Sequence, residues 1–165
     1  MSQVVVSLGS NMSRPLNQLE IALERLRKNF THVQCSSYYL TDPVGGPVQP
    51  DYVNACAIFE TSLQPDQVLK KLQIMEEAGG RTRNGERNQP RTLDIDIILY
   101  DDLVLDEAEF ILPHPRFRER RFVLVPLAEL APHLIDPVSG KTIVDLLKQC
   151  PDVHGVEQLD TEISA

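Results

Sequence analysis

The chain has 165 residues, enough for one domain with its own apolar core, and 42% hydrophobic and 24% charged residues give it an ordinary globular composition. A net charge of −8 argues against a nucleic-acid coat protein, which needs an electropositive face, and no apolar run is long enough to span a bilayer. Cys35, Cys56 and Cys150 are odd in number, far apart and without a CxxC, and no basic region precedes an apolar core at the N-terminus; the expectation is a reduced, cytoplasmic protein without a disulfide framework or zinc knuckle.

In chain order, "QVVVSL" (3–8) reads as a buried strand ending at Gly9. Ser13 offers a helix cap and Pro15 a first-turn proline, after which Leu16, Leu19, Leu23, Leu26 and Phe30 recur at helical spacing. "HVQCSSYYLT" (32–41) has strand propensity, "DPVGGPVQPD" (42–51) is a Pro/Gly loop, and "YVNACAIFETS" (52–62) alternates as a strand. Pro65 starts a second helix, with Val68, Leu69, Leu72 and Met75 on its apolar stripe, which stops at Gly79-Gly80. An arginine-bearing loop then leads into the strand "TLDIDIILY", and "LVLDEAEFILPHP" adds a short hairpin and a loop. "RRFVLVPLAELAP" and "TIVDLLKQC" read as shorter helical or mixed segments on the outside, and the polar tail 151–165 is expected to be poorly ordered. The order β-α-β-β-α-β plus an extension predicts a single α+β domain over 1–165, a ferredoxin-like sandwich with an antiparallel sheet and helices on one face.

The chemistry gathers after the second helix. Asp94 and Asp96 are two apart on a strand, so they share a face while Leu93, Ile95 and Ile97 point into the core. Two adjacent carboxylates repel, and a hard divalent ion such as Mg²⁺, shared with substrate phosphates, resolves that repulsion. A solvated strand face, or pairing with nearby arginines, is the plainer alternative. Arg81, Arg83, Arg87 and Arg91 precede the pair, and Arg116, Arg118, Arg120 and Arg121 follow in "PRFRERR"; half of the 16 Lys and Arg residues thus lie in two short pieces of an acidic chain. That distribution favours a local anion site over a broad basic surface, since guanidinium forks match phosphate oxygens. Gly80 and Gly85 have the spacing of a phosphate-binding loop, but Glu86-Arg87 stand where Lys-Ser/Thr is required, and no GxGxxG exists. Tyr52 and Asn54 share a strand face that suits a flat heterocycle, although an ordinary amphipathic edge has the same spacing. Gln73 and Glu76, three apart on the second helix, read equally as solvated residues, Phe122 as core, and His32, His133 and His154 as surface.

"SLGSN", "PDYVNACAIFET", "PRTLDIDI" and "LPHPRFRERRFVLVPLAELAP", in this order and spacing, resemble the 6-hydroxymethyl-7,8-dihydropterin pyrophosphokinase family over roughly residues 3–148. The resemblance implies a ferredoxin-like fold and ATP-dependent pyrophosphate transfer to the pterin's hydroxymethyl group in folate biosynthesis. Asp94 and Asp96 would hold two Mg²⁺ ions against ATP, and Arg81 and Arg91 would engage the phosphates during transfer, with Arg83 and Arg87 at further basic positions of that loop. Leu69, Gln73, Glu76, Ile97, His114 and Arg120 match ATP-site positions. Thr41, Pro43, Val44, Tyr52, Asn54 and Phe122 match the pterin pocket, Tyr52 and Phe122 sandwiching the ring. The implied partners are ATP and the pterin, with no nucleic acid or membrane, and the family is generally monomeric. The chain departs from the family at Asn88-Gln89, where members often carry Trp-Gly, and at Pro115, Glu109 and Ile111, where some carry Tyr, Arg and Thr.

Overall fold

The computed structural model describes residues 1–11, 14–41, 52–78 and 93–159. Alternation of side chains along three long strands organises everything else. Strand β1 (Ser2–Ser10) lies between β4 (Tyr52–Thr61) and β5 (Asp94–Tyr100), antiparallel to both. Outside β4 run β2 (Thr31–Cys35) and β3 (Tyr39–Thr41), also antiparallel to it, and β8 (Val156–Gln158) pairs with β3 at the edge. The expected α+β architecture with an antiparallel sheet is what forms.

Helices α1 (Pro15–Asn29) and α2 (Pro65–Ala78) cover one face. Val4, Val6 and Leu8 of β1 and Val53, Ala55, Ala57 and Phe59 of β4 point to that side, where they meet Leu19, Leu23 and Leu26 of α1 and Val68, Leu72 and Met75 of α2. Phe30, just past α1, stacks on Phe59 with ring centroids 4.0 Å apart. Ser13, read as the cap of α1, lies outside the described residues. Arg14 occupies the cap with φ 61° and no side-chain cap bond, and its carbonyl accepts from Gln18 at 3.1 Å.

The two helices of the β-α-β-β-α-β core share a face as expected, and the later helical segments pack on the other. Helices α3 (Arg121–Leu130) and α4 (Ile143–Gln149) cover part of the other, where Val5, Cys56, Ile58, Ile98 and Leu99 form a second apolar cluster with Val123, Leu124, Leu127, Ile143 and Leu146. A register shift between Val5 and Val6 makes room for it: Val5 opposes Leu99 and Val6 opposes Ile97, so Ile98 is an extra residue. Ile98 and Leu99 then both serve the second cluster, and Tyr100 returns to the first.

The run 32–41, read as one strand, is divided at Ser36–Tyr38. Cys35 opposes Ala57 and Tyr39 opposes Asn54, so the chain takes one more residue than β4 between these pairs. Ser36 fills the break, its N–H donating to Cys56 O at 2.9 Å and its Oγ accepting from Cys56 N–H at 3.0 Å. The hairpin expected after β5 is β6 (Leu105–Glu107) with β7 (Phe110–Leu112). The C-terminal segment through Leu159 is tied in by β8, and residues 160–165 lie outside the described part. Among the described residues no helix is long and apolar enough to cross a membrane.

Candidate active site

The second sheet face changes character along its length. Near one end it is apolar and lies under α3 and α4; further along, the same alternation presents Ser7, Gly9, Tyr52, Asn54, Asp94 and Asp96. That polar end lies beyond the apolar cluster. A cavity of about 630 Å³ opens over it, walled by Thr41, by Arg116, Glu119, Arg120 and Phe122 around the start of α3, and by Pro151, Asp152 and His154. That volume suits a small-molecule ligand.

Pairing of the central strands places the floor. Gly9 lies between Asn54 and Asp94, and Ser7 between Cys56 and Asp96. A Cβ on Gly9 would come 2.7 Å from Asn54 Oδ1, so the amide lies across the glycine backbone. Asn54 is buried and cannot swing away without loss, because its Nδ2 donates to the buried Thr41 hydroxyl at 2.5 Å. If Asn54 binds a ring in this cavity, Gly9→Ala is expected to raise the KM for that substrate about tenfold, the order of one lost hydrogen bond, and to leave the KM of a phosphate substrate nearly unchanged. Steady-state kinetics with each substrate varied checks this, and an unaltered acceptor KM would remove Asn54 from the pocket.

The two aspartates stand on the cavity side as the period-2 reading requires, Asp96 exposed and Asp94 half-buried. Burial, and then the Asp94 carboxylate, push the Tyr52 phenol above its ordinary range. Burial is also the chief cause holding His114 below the usual imidazole range; Arg120 and Arg116 act the same way and Asp96 opposes them. The Arg116 N–H donates to His114 Nδ1 at 3.1 Å, so a neutral ring carries its proton on Nε2. The Arg120 guanidinium carbon stands 5.6 Å from the Phe122 ring centroid, a cation–π distance that fixes both groups on the cavity wall.

The cavity thus brings together Thr41, Tyr52, Asn54, Asp94, Asp96, Arg120 and Phe122 of the residues singled out in the sequence. His114 does not line it, though Asp96 and Arg120 act on its charge. Leu69 and Ile97 pack with the first apolar cluster on the opposite face, and Gln73 is exposed on α2. Glu76 is buried and its Oε2 accepts from Ile95 N–H at 3.0 Å, holding α2 against β5. Pro43, Val44, Arg81, Arg83, Arg87 and Arg91 fall outside the described residues. Sequence reasoning passed over Ser7, Gly9, Glu119, Pro151, Asp152 and His154 as lining residues and read His154 as mere surface, whereas Arg116, from the second arginine group, does line the cavity. A glycine at the end of a strand was a usable signal for Gly9.

No set of three or more His, Cys, Asp or Glu side chains placed to hold a metal exists among the described residues. The donor set on offer is a pair of hard carboxylates lining the cavity, which fits Mg²⁺, an ion that keeps one or two protein carboxylates and takes its other ligands from phosphate and water.

The chain is similar to known proteins over most of its length. Residues 5–132 match the family model for 7,8-dihydro-6-hydroxymethylpterin-pyrophosphokinase. The chain is 44% identical over 147 residues to a 2-amino-4-hydroxy-6-hydroxymethyldihydropteridine pyrophosphokinase of Synechocystis sp., covering 88% of this chain and 74% of the relative. It is 40% identical over 159 residues to the protein of that name from Pseudomonas aeruginosa, covering 95% and 96% of the two chains. Among solved structures, Plasmodium falciparum HPPK-DHPS, wild type, superposes with a TM-score of 0.71 at 16% identity. That match covers 90% of this chain but only 41% of the Plasmodium chain, and at such identity it speaks for the fold alone.

Proposed function

The chain belongs to the 7,8-dihydro-6-hydroxymethylpterin-pyrophosphokinase family, and from that premise we propose that this polar cavity is where acceptor and triphosphate meet. The activity is ATP-dependent transfer of pyrophosphate to the hydroxymethyl group of the dihydropterin in folate biosynthesis. The observation that carries the reading is that Asp94 and Asp96 open into the same cavity as Tyr52, Asn54 and Phe122, so a phosphate end and a heterocycle end are continuous.

The pterin ring lies between Tyr52 and Phe122, and Asn54, fixed by Thr41, reads its hydrogen-bonding edge; Pro43 and Val44 are assigned to the acceptor by the family resemblance. Asp94 and Asp96 would hold two Mg²⁺ ions. When bound, these supply Lewis-acid charge neutralisation on the phosphate oxygens. The hydroxymethyl oxygen forms a bond to the β-phosphorus as its proton leaves. The bond from that phosphorus to the oxygen bridging it to the α-phosphate breaks, and AMP departs with the electron pair. Arg120 lines the phosphate side; the ATP-site assignments that the family implies for His114, Leu69, Gln73, Glu76 and Ile97 fall off this cavity, and the transfer step makes no use of them. Arg81 and Arg91 stabilise charge that grows in the transition state, Arg83 and Arg87 adding to the field. On this reading Arg81→Ala slows the chemical step roughly 100–1,000-fold and weakens ATP binding far less. Single-turnover kinetics decides it: unchanged chemistry with lost binding would make Arg81 a ground-state anchor.

The strand order β5-β1-β4-β3, with α1 and α2 on one face, supports a ferredoxin-like classification within a single domain. The reading includes a monomeric, cytoplasmic enzyme of small-molecule substrates, binding neither nucleic acid nor membrane. AMP release from ATP and Mg²⁺, with and without 6-hydroxymethyl-7,8-dihydropterin, tests the function. AMP that forms only with the pterin is the expected result; AMP formed equally without it would mean hydrolysis, and none in either case an inactive relative.

A further inference from the structure

One wall of the cavity is built by the chain after α4, and the reaction as read above makes no use of it. Pro151, Asp152 and His154 line the same space as Asn54 and Phe122. This segment is fixed at both ends. Asp152 Oδ2 accepts from the backbone N–H of Arg121 at 3.0 Å, at the start of α3 and next to Phe122. At the other end β8 pairs with β3, Val156 opposite Thr41, so the wall passes beside the hydroxyl that holds Asn54.

Between these anchors the His154 ring is oriented. Its Nδ1 is 2.5 Å from Asp152 Oδ1, and its own backbone N–H donates to that oxygen at 2.9 Å. Burial pushes the Asp152 carboxyl up, but the backbone and ring of His154 and the Arg121 N–H more than offset this and hold it below the ordinary carboxylate range. An anionic Asp152 takes the proton on Nδ1, which leaves Nε2 as the ring nitrogen open to a ligand, an acceptor when the imidazole is neutral. The side chain keeps 41% of its surface exposed while that of Asp152 keeps 9%: a buried carboxylate supports a ring that is open on its other side.

We propose that His154 is a further binding residue for the acceptor, its Nε2 accepting a hydrogen bond from an N–H of the pterin, with Asp152 as the residue that positions it. This rests on reading the cavity as the acceptor pocket. A purely structural Asp152–His154 pair would hold the wall in place and contribute nothing to recognition.

Full-length His154→Ala, His154→Gln, Asp152→Asn and Asn54→Ala variants, with KM measured separately for the pterin and for ATP and with melting temperatures alongside, separate these. His154→Ala is expected to raise the pterin KM about tenfold and to leave the ATP KM within about twofold of wild type, the scale of one hydrogen bond. His154→Gln, which keeps an acceptor at a similar reach, recovers most of the loss; Asp152→Asn falls between. A glutamine variant as poor as alanine, with both melting lower than wild type, would leave only the structural role and overturn the inference. If Asn54→Ala raises the pterin KM and His154→Ala does not, the role of His154 falls while the pocket stands. If neither changes it, the acceptor pocket falls as well.

Discussion

Asp96→Ala is expected to lower kcat at least about 1,000-fold, with the fold intact. The side chain is exposed and lines the cavity, so its removal takes little packing from β5. Deleting one of two neighbouring like charges also relieves repulsion, so the melting temperature stays level or rises. What is lost is half of the carboxylate pair against which a metal-bound triphosphate must dock. The paired control is Asp102→Ala, an exposed carboxylate just beyond β5 that lines no part of the cavity; it should leave kcat unaltered. A kcat for Asp96→Ala within about tenfold of wild type would separate the aspartate pair from the chemistry, because loss of a single stabilising donor already costs more.

Asp136→Ala is expected to cost about 3 kcal/mol of stability, the lower part of the range for breaking a buried ion pair, and to leave the intrinsic chemistry unchanged. Asp136 is fully buried in the turn before α4, and Arg118 reaches it with a forked pair of bonds, Nε to Oδ2 at 2.5 Å and Nη2 to Oδ1 at 2.8 Å. Ser139 Oγ donates to it at 2.7 Å and the Val138 N–H at 3.1 Å. The lower figure applies because the Arg118 side chain remains 26% exposed and regains some water when its partner goes. For a chain of this size the loss lowers Tm by about 10 °C, measurable by calorimetry. Burial alone would raise the Asp136 carboxyl, but these donors hold it at about 2. A depressed carboxylate stabilises the fold fully above its unfolded value of about 4 and loses that contribution as pH falls through the folded value. Wild type should therefore lose stability between about pH 4 and pH 2 by roughly 2 kcal/mol more than Asp136→Ala does. Parallel pH–stability curves would mean the cluster contributes nothing through its charge.

The face pairing of Asp94 with Asp96, and of Tyr52 with Asn54, was legible because period-2 alternation alone decides it once a strand is recognised. Both pairs do face the cavity. The second helical layer was not legible. Hydrophobic alternation on β1 and β4 shows that both faces carry apolar residues, but only the extra residue at Ile98 reveals how β5 serves α3 and α4 as well. The long-range walls were the least visible. Asp152 and His154 look like tail residues because their meaning lies in bonds to Arg121 N–H and to each other, and in a three-residue strand whose partner is more than a hundred positions earlier. No local propensity encodes that. Gly9 stands between these cases: its position was read as a strand end, whereas its lack of a side chain is what lets Asn54 lie across it.

The most direct test of the account is a crystal structure of the full chain with 6-hydroxymethyl-7,8-dihydropterin, Mg²⁺ and an ATP analogue whose α–β bridge cannot break. The account predicts the pterin between Tyr52 and Phe122 with Asn54 on its edge, Mg²⁺ on Asp94 and Asp96, and the hydroxymethyl oxygen in line with the β-phosphorus. Pterin bound outside this cavity, or phosphates held with Asp94 and Asp96 uninvolved, would contradict it.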